Sequence, residues 1–197
     1  MNDPPTTDDC VAGRAPLVTL RAATLADAPL LTAWDHEPHV IRCTTDDPHA
    51  TTARDAGEWE AELCSPTPHF EHLIAEVDGQ PIGAMLIIDP ALEPTHYWGK
   101  IERDLRAIDI WIGPASALGR GYGTEMMTRA IDRCFADATV TAIVIDPLAS
   151  NLDAHRFYRR LGFRKVGYQS FGEDYCLVHR LERDKWQKLR LQGITHA

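Results

Sequence analysis

The sequence has no apolar run long enough to cross a bilayer. Ile82 to Ile88 is typical of its longest, against the roughly 20 residues a span requires. Its start, Met1-Asn2-Asp3-Pro4-Pro5, opens acidic and lacks the basic stretch and apolar core of a secretory signal, so none is expected. Cysteine is sparse. The five (Cys10, Cys43, Cys64, Cys134, Cys176) are scattered, odd in number and never in a Cys-x-x-Cys pair; this argues against a disulfide framework or a zinc site and for a reducing cytoplasm. The nine histidines show no His-x-x-x-His spacing with a Glu, and no metal is expected. Basic residues are in the minority, 20 Lys+Arg against 29 Asp+Glu for a net charge of −9, which argues against a phosphate-tracking nucleic-acid surface.

What is present suits one globular domain: 197 residues, 44% of them hydrophobic, with only 13 Gly and 13 Pro. The charge is unevenly placed. Through Ile110 there are 20 acidic against 7 basic residues, a net of −13; from Trp111 onward 9 face 13, a net of +4. Such a division suits a protein that holds a cationic ligand on one side and an anionic one on the other, although it serves solubility equally.

Residues 1–16 are polar and Pro-rich and read as a flexible tail, leaving 17–197 as a single domain. Leu17 to Arg21 alternates like a strand, and Thr24 caps a helix with Asp27 at its third position and Leu30, Leu31 and Trp34 on its buried face. Asp35 to Thr52 reads as a polar loop, followed by a helix ending near Leu63. Strands His72 to Val77 and Pro81 to Ile88 are joined by Asp78-Gly79, a tight-turn pair. Residues 89–107 read as irregular. A strand Ile108 to Ile112, a helix through Phe135, an all-apolar strand Val140 to Ile145, a helix Asn151 to Leu161 and strands near 165–170 and 175–179 precede a polar C-terminal helix. The expected class is α/β, a mixed central sheet flanked by helices.

The strongest local feature is Leu118-Gly119-Arg120-Gly121-Tyr122-Gly123-Thr124, between a strand and a helix. Glycines let backbone N–H groups approach a ligand closely, and a helix N-terminus adds partial positive charge, the makings of a diphosphate cradle. No Gly-Lys-Ser/Thr follows, so it is not a Walker loop. With the downstream Ile145-Asp146-Pro147 and Ser150-Asn151-Leu152-Asp153-Ala154-His155-Arg156-Phe157-Tyr158-Arg159-Arg160-Leu161-Gly162-Phe163, it resembles the GNAT superfamily of acyl-CoA N-acyltransferases. Within that superfamily the chain looks like the aminoglycoside 6'-N-acetyltransferases, through Ala107-Ile108-Asp109, the glycine loop, Ile145-Asp146-Pro147 and Ser150-Asn151-Leu152. The resemblance implies a GNAT fold, acetyl-CoA as co-substrate and a polycationic amine acceptor. It assigns acetyl-CoA binding to Gly119–Thr124 and Asn151, and puts Tyr158 beside the CoA sulfur. Leu118 stands where many members carry Gln or Arg, and Arg42-Cys43-Thr44-Thr45-Asp46-Asp47 lacks the paired Trp of some members. Siderophore-precursor acyltransferases and a non-catalytic acyl-CoA sensor share much of the pattern.

An amine attacks a thioester only when neutral, so an ammonium substrate needs a base. Asp109, whose neighbours Ile108 and Ile110 point to the other face of their strand, is the candidate base or anchor. The backbone amides of Ile110 or Ile112 would hold the thioester oxygen, and Tyr158 would protonate the departing thiolate or merely pack in the core. Asp146, Asp174 and Glu102 are candidates to bind ammonium groups, with Asp46, Asp47 and Glu93 as weaker ones. Tyr97 and Trp98 would stack on sugar rings or fill the core, and Arg156, Arg159 and Arg160 are candidates to pair with CoA phosphates. A monomer or homodimer is compatible with the sequence.

Overall fold

The computed structural model describes residues 17–193; the expected 1–16 tail lies outside them. Seven strands form one mixed sheet: β1 (Val18–Ala22), β2 (Phe70–Val77), β3 (Gln80–Ile88), β4 (Leu105–Ile112), β5 (Ala142–Ile145), β6 (Arg164–Phe171) and β7 (Asp174–Glu182), in the order β1-β2-β3-β4-β5-β7-β6. Every neighbouring pair is antiparallel except β4 with β5. Six helices surround it: α1 (Ala28–Asp35), α2 (Pro38–Thr44), α3 (Glu58–Cys64), α4 (Tyr122–Ala136), α5 (Leu152–Arg160) and α6 (Arg183–Leu191). Among the described residues no helix is long and apolar enough to cross a membrane, and no group of three or more His, Cys, Asp or Glu could hold a metal ion.

The strands fall where side chains alternate between two buried faces. One face carries Leu73, Met85, Ile108, Ile143 and Ile145 and packs on Met126, Met127, Ala130, Ile131, Tyr158 and Trp186 of α4, α5 and α6 and on Leu161 just past α5. The other is split. Ile74, Ala84 and Leu86 pack on Leu31, Trp34 and Trp59 of α1 and α3, whereas Ala107, Ala142 and Val144 pack on Trp98, Leu148 and Phe171. β5 is buried on both sides, as its all-apolar sequence requires.

Three local differences from the sequence reading have physical causes. Thr24 and Asp27 do cap a helix, with the Thr24 amide and hydroxyl donating to Asp27 at 2.8 and 3.0 Å, but the first turn is a 3-10 turn that passes into α1 at Ala28. The expected loop 35–52 contains α2, started by Pro38 at its first turn; only Val40 in it is buried, so no apolar stripe announces it. β4 begins at Leu105, inside the expected irregular stretch, because the alternation opens with Leu105 and Ala107 packed on the second face.

Candidate active site

The site forms where the parallel pair comes apart. β4 and β5 are paired only at Leu105/Ala142, Arg106/Ile143 and Ala107/Val144, while β4 runs on to Ile112 against β3. The Gly113 amide donates to the Ile82 carbonyl at 3.0 Å, so in antiparallel alternation the amides of Ile112 and Ile110 face the opposite edge, toward the gap. Ile112 also presents its carbonyl on that side, where His39 Nε2 of α2 meets it at 2.9 Å. The end of β4 is clamped beneath: a Cβ on Gly113 would lie 2.0 Å from the Trp34 ring, and only glycine fits.

Along β4, Leu105, Ala107, Asp109 and Trp111 share one face, and Ile108, Ile110 and Ile112 the other. On β4, Asp109 stands between Ala107 of one cluster and Trp111 of the other. It is open to solvent, yet ringed by protein at the floor of the gap. Loss of hydration, with the nearby Asp146 carboxylate adding to it, pushes its carboxyl up to about 7; Arg54 pulls the other way and Glu62 adds to the rise. Tyr158 lies on the opposite face, 8% exposed, and its hydroxyl has no hydrogen-bond partner among the described residues. Burial, then Asp109, Asp146 and Cys43, raise its pKa. Asp109 and Tyr158 therefore lie on opposite faces of the sheet, close enough for the Asp109 charge to act on the Tyr158 hydroxyl.

Asp146 follows β5 directly. Burial raises its pKa and Asp174 adds to the rise, opposed by the Tyr97 hydroxyl, which donates to Asp146 Oδ2 at 2.6 Å. Tyr97 is half exposed; its ring stacks on Phe171 with centroids 4.5 Å apart and planes within 8°. A segment after α2 reaches across to the same wall: Thr45 Oγ1 donates to Asp174 at 3.2 Å and Ser150 Oγ to Asp46 at 2.6 Å. Asp46, Asp109, Asp146 and Asp174 thus line one acidic recess.

At the other end, Gly119 and Gly121 have φ of 71° and 81°, a conformation that leaves successive amides unpaired ahead of α4. Among the described residues no acceptor meets the amides of Gly119, Arg120, Gly121, Tyr122 or Gly123. Five adjacent free N–H groups at the start of a 15-residue helix fit a diphosphate. Two neighbours do not share that part. The Leu118 amide donates to Ala115 at 3.2 Å, and that of Thr124 to Gly121 at 3.0 Å. Asn151 caps α5, its Oδ1 accepting from the Ala154 amide at 3.0 Å.

Other expected site residues are placed elsewhere. Trp98 is 8% exposed and packs edge-on against Phe171 and Tyr97, so it supports the Tyr97 ring from the core and has no free face for a sugar. Glu102 pairs with Arg180 at 3.2 Å on the surface. Glu93, buried at 3% exposure, accepts from the amide and hydroxyl of Thr95 at 2.8 and 2.6 Å and from the Tyr97 amide; it builds the turn that presents Tyr97. Asp47 accepts from the His49 amide in an exposed turn. Arg156 is paired with Asp153 and Arg160 lies over Phe157. Sequence reasoning missed the roles of His39, Thr45 and Ser150 because each acts across a long chain separation that no local motif marks.

A split parallel pair, an amide cradle and a carboxylate at the fork define an acyltransferase of the GNAT type. Residues 23–171 match the acetyltransferase (GNAT) domain family, and the chain belongs to it. The aminoglycoside N(6')-acetyltransferase type 1 of Klebsiella pneumoniae is 33% identical over 153 residues, 76% of this chain and 75% of that protein. A kanamycin resistance protein of Rhizobium radiobacter is 40% identical over 72 residues, 36% of this chain and 67% of that one. Among solved structures, AAC(6')-Ib in complex with ribostamycin and coenzyme A superposes with a TM-score of 0.79 at 26% identity, covering 88% of this chain and 98% of that one.

Proposed function

We propose that this protein transfers the acetyl group of acetyl-CoA to the 6'-amine of an aminoglycoside antibiotic and so confers resistance. The observation that carries the reading is the placement of Asp109 on β4 just past its last pair with β5, beside the outward amides of Ile110 and Ile112. The names of the relatives point to the same acceptor class.

Acetyl-CoA supplies an activated acyl carbon and a thiolate leaving group. The free amides from Gly119 to Gly123 hold its diphosphate, and Ile110 or Ile112 donates an N–H to the thioester oxygen, where charge develops on attack. Asp109, ionised above about pH 7, takes the proton from the substrate ammonium and frees the amine lone pair. Tyr158, kept protonated by burial, gives its hydroxyl proton to the leaving sulfur, and the second proton, shed by the nitrogen as it becomes an amide, restores the Tyr158 hydroxyl. Asp146, Asp174 and Asp46 bind the remaining ammonium groups, and Tyr97 offers a flat ring beside them. The N-terminal excess of acidic residues favours a polycationic aminoglycoside over a hydroxylamine or a lysine-type siderophore precursor.

Purified protein should release CoA thiol when given acetyl-CoA with kanamycin or tobramycin, and its expression should raise the inhibitory concentration of both drugs in a susceptible bacterium. Soluble expression with unchanged inhibitory concentrations would overturn the assignment.

A further inference from the structure

Two buried histidines beneath the transfer site are used by no step above. His155 of α5 is 8% exposed and His179 of β7 is 1% exposed. Their rings stack with centroids 5.2 Å apart, and His155 Nδ1 lies 3.0 Å from His179 Nε2. His155 Nε2 lies 3.2 Å from the Ala149 carbonyl oxygen. His179 Nδ1 is buried with no hydrogen-bond partner.

These contacts fix the protons. A carbonyl only accepts, so His155 Nε2 carries hydrogen. A neutral His155 then has a bare Nδ1, and His179 Nε2 must be the donor to it. A neutral His179 in turn leaves its Nδ1 without hydrogen, which is the nitrogen found unpartnered. The reverse direction would need a cationic His155 and would leave a buried N–H on His179 Nδ1 with nothing to accept it. Burial opposes such a charge. So do the surroundings: the titratable groups bearing on His179 are His155 and Tyr158 of α5 and Lys165 of β6, and none is a carboxylate. In agreement, burial first, then His155 and Lys165, depress the His179 pKa to about 4.

We propose that His179 and His155 form a directional relay, His179 Nε2–H to His155 Nδ1 and His155 Nε2–H to the Ala149 carbonyl, that positions Tyr158 and the 147–151 loop against the transfer site. The ends of the relay are what matter. Ala149 lies in the loop that joins Asp146 to Asn151, and its amide is itself held by the Tyr175 carbonyl at 2.8 Å. His155 stands three residues before Tyr158 on α5, whose own hydroxyl has no partner to orient it. The Tyr158 ring packs 6.2 Å from that of His179. The relay thus ties β7 to α5 and to the loop between the two acidic and amide-bearing walls. Both histidines are positioning residues, and the kinetic part of the inference rests on the acetyl-transfer reading.

The direction of the relay can be read by imidazole nitrogen NMR on the ligand-free protein, independently of activity. The expected spectrum at neutral pH shows both rings neutral and both as the Nε2–H tautomer. An Nδ1–H tautomer or a charged ring at either position would overturn the proposal. Kinetically, His179→Phe keeps the bulk and removes the donor, whereas His179→Gln restores an N–H at a similar reach. His179→Phe should lower kcat by about tenfold to a hundredfold, as misplacement of a reacting group does, with KM for acetyl-CoA changed less than about twofold. His179→Gln should recover most of that loss; equal loss in both variants, or no loss in Phe, would sink the positioning role. Should His179→Phe not fold, the Gln variant and the spectrum decide. If the wild type acetylates no aminoglycoside, the acceptor reading fails while the spectrum still tests the relay.

Discussion

The two sides of the proposed transfer site are built in opposite ways. The acetyl-CoA side is continuous in sequence: one loop, Gly119 to Gly123, with φ of 71° and 81° at two glycines, leads straight into α4, and α5 follows a single strand later. The acceptor side is assembled from Asp46, Tyr97, Asp109, Asp146 and Asp174, which meet only when five separate segments pack together. In the proposed reading the first side binds with backbone amides, which any residue supplies once the glycines set the path. The second would bind with side chains, so a single substitution should change which polycation is accepted while the acyl donor still binds.

The largest expected effect lies at the junction of the two sides. Asp109→Asn should lower kcat/KM by ~10² to 10⁴, the range of a lost general base. The wild-type rate should climb as pH rises through about 7, where the carboxyl ionises, and the variant should lose that limb. A raised KM for the amine with kcat intact would instead make Asp109 an anchor. The same substitution should stabilise the fold. A carboxyl whose pKa is raised from 3.8 to about 7 in the folded state costs stability as pH rises through that interval. The gain in Tm should therefore be larger at pH 8 than at pH 5.

Tyr158→Phe comes next, with thiol release slowed by roughly 10² and acetyl-CoA binding by calorimetry unchanged. Asp146→Asn should act on the acceptor side alone, raising KM for kanamycin by about tenfold, the scale of one charge-assisted hydrogen bond, and weakening its salt dependence while KM for acetyl-CoA stays put. Gly121→Val should do the reverse: a β-branched residue at φ 81° is strained by ~1 to 2 kcal/mol, so acetyl-CoA affinity should fall several-fold with aminoglycoside affinity preserved. An effect of either variant on the wrong ligand would break the division drawn above.

Legibility in the sequence followed the same division. The glycine loop, the central strand bearing Asp109 and the helix bearing Tyr158 carry local signals of period or motif, and the fold places them as read. The acceptor wall does not. α2 has a single buried residue and no stripe to betray it. Trp98 and Tyr97 are adjacent and both aromatic, yet one is buried behind the other, a distinction set by Phe171 over 70 residues away. Glu102 and Glu93 read alike as candidate ammonium binders, and only the structure separates them: Glu93 is buried in the 95–97 turn, whereas Glu102 is exposed beside Arg180. The His155–His179 contact spans 24 residues, and neither histidine stands in a spacing that would flag it.

Three residue pairs join β4 to β5, so the sheet opens past a short seam although a single core backs both halves, and the proposed chemistry lies where the seam ends. Amide protons should report this as a sharp alternation within one central strand. In the ligand-free protein Ile110 and Ile112, turned toward the opening, should exchange with solvent far faster than Trp111 and Gly113, bonded to β3. Acetyl-CoA should slow the first pair by closing its N–H groups on ligand and leave the second unchanged, so that the occupant completes the sheet that the chain leaves unfinished.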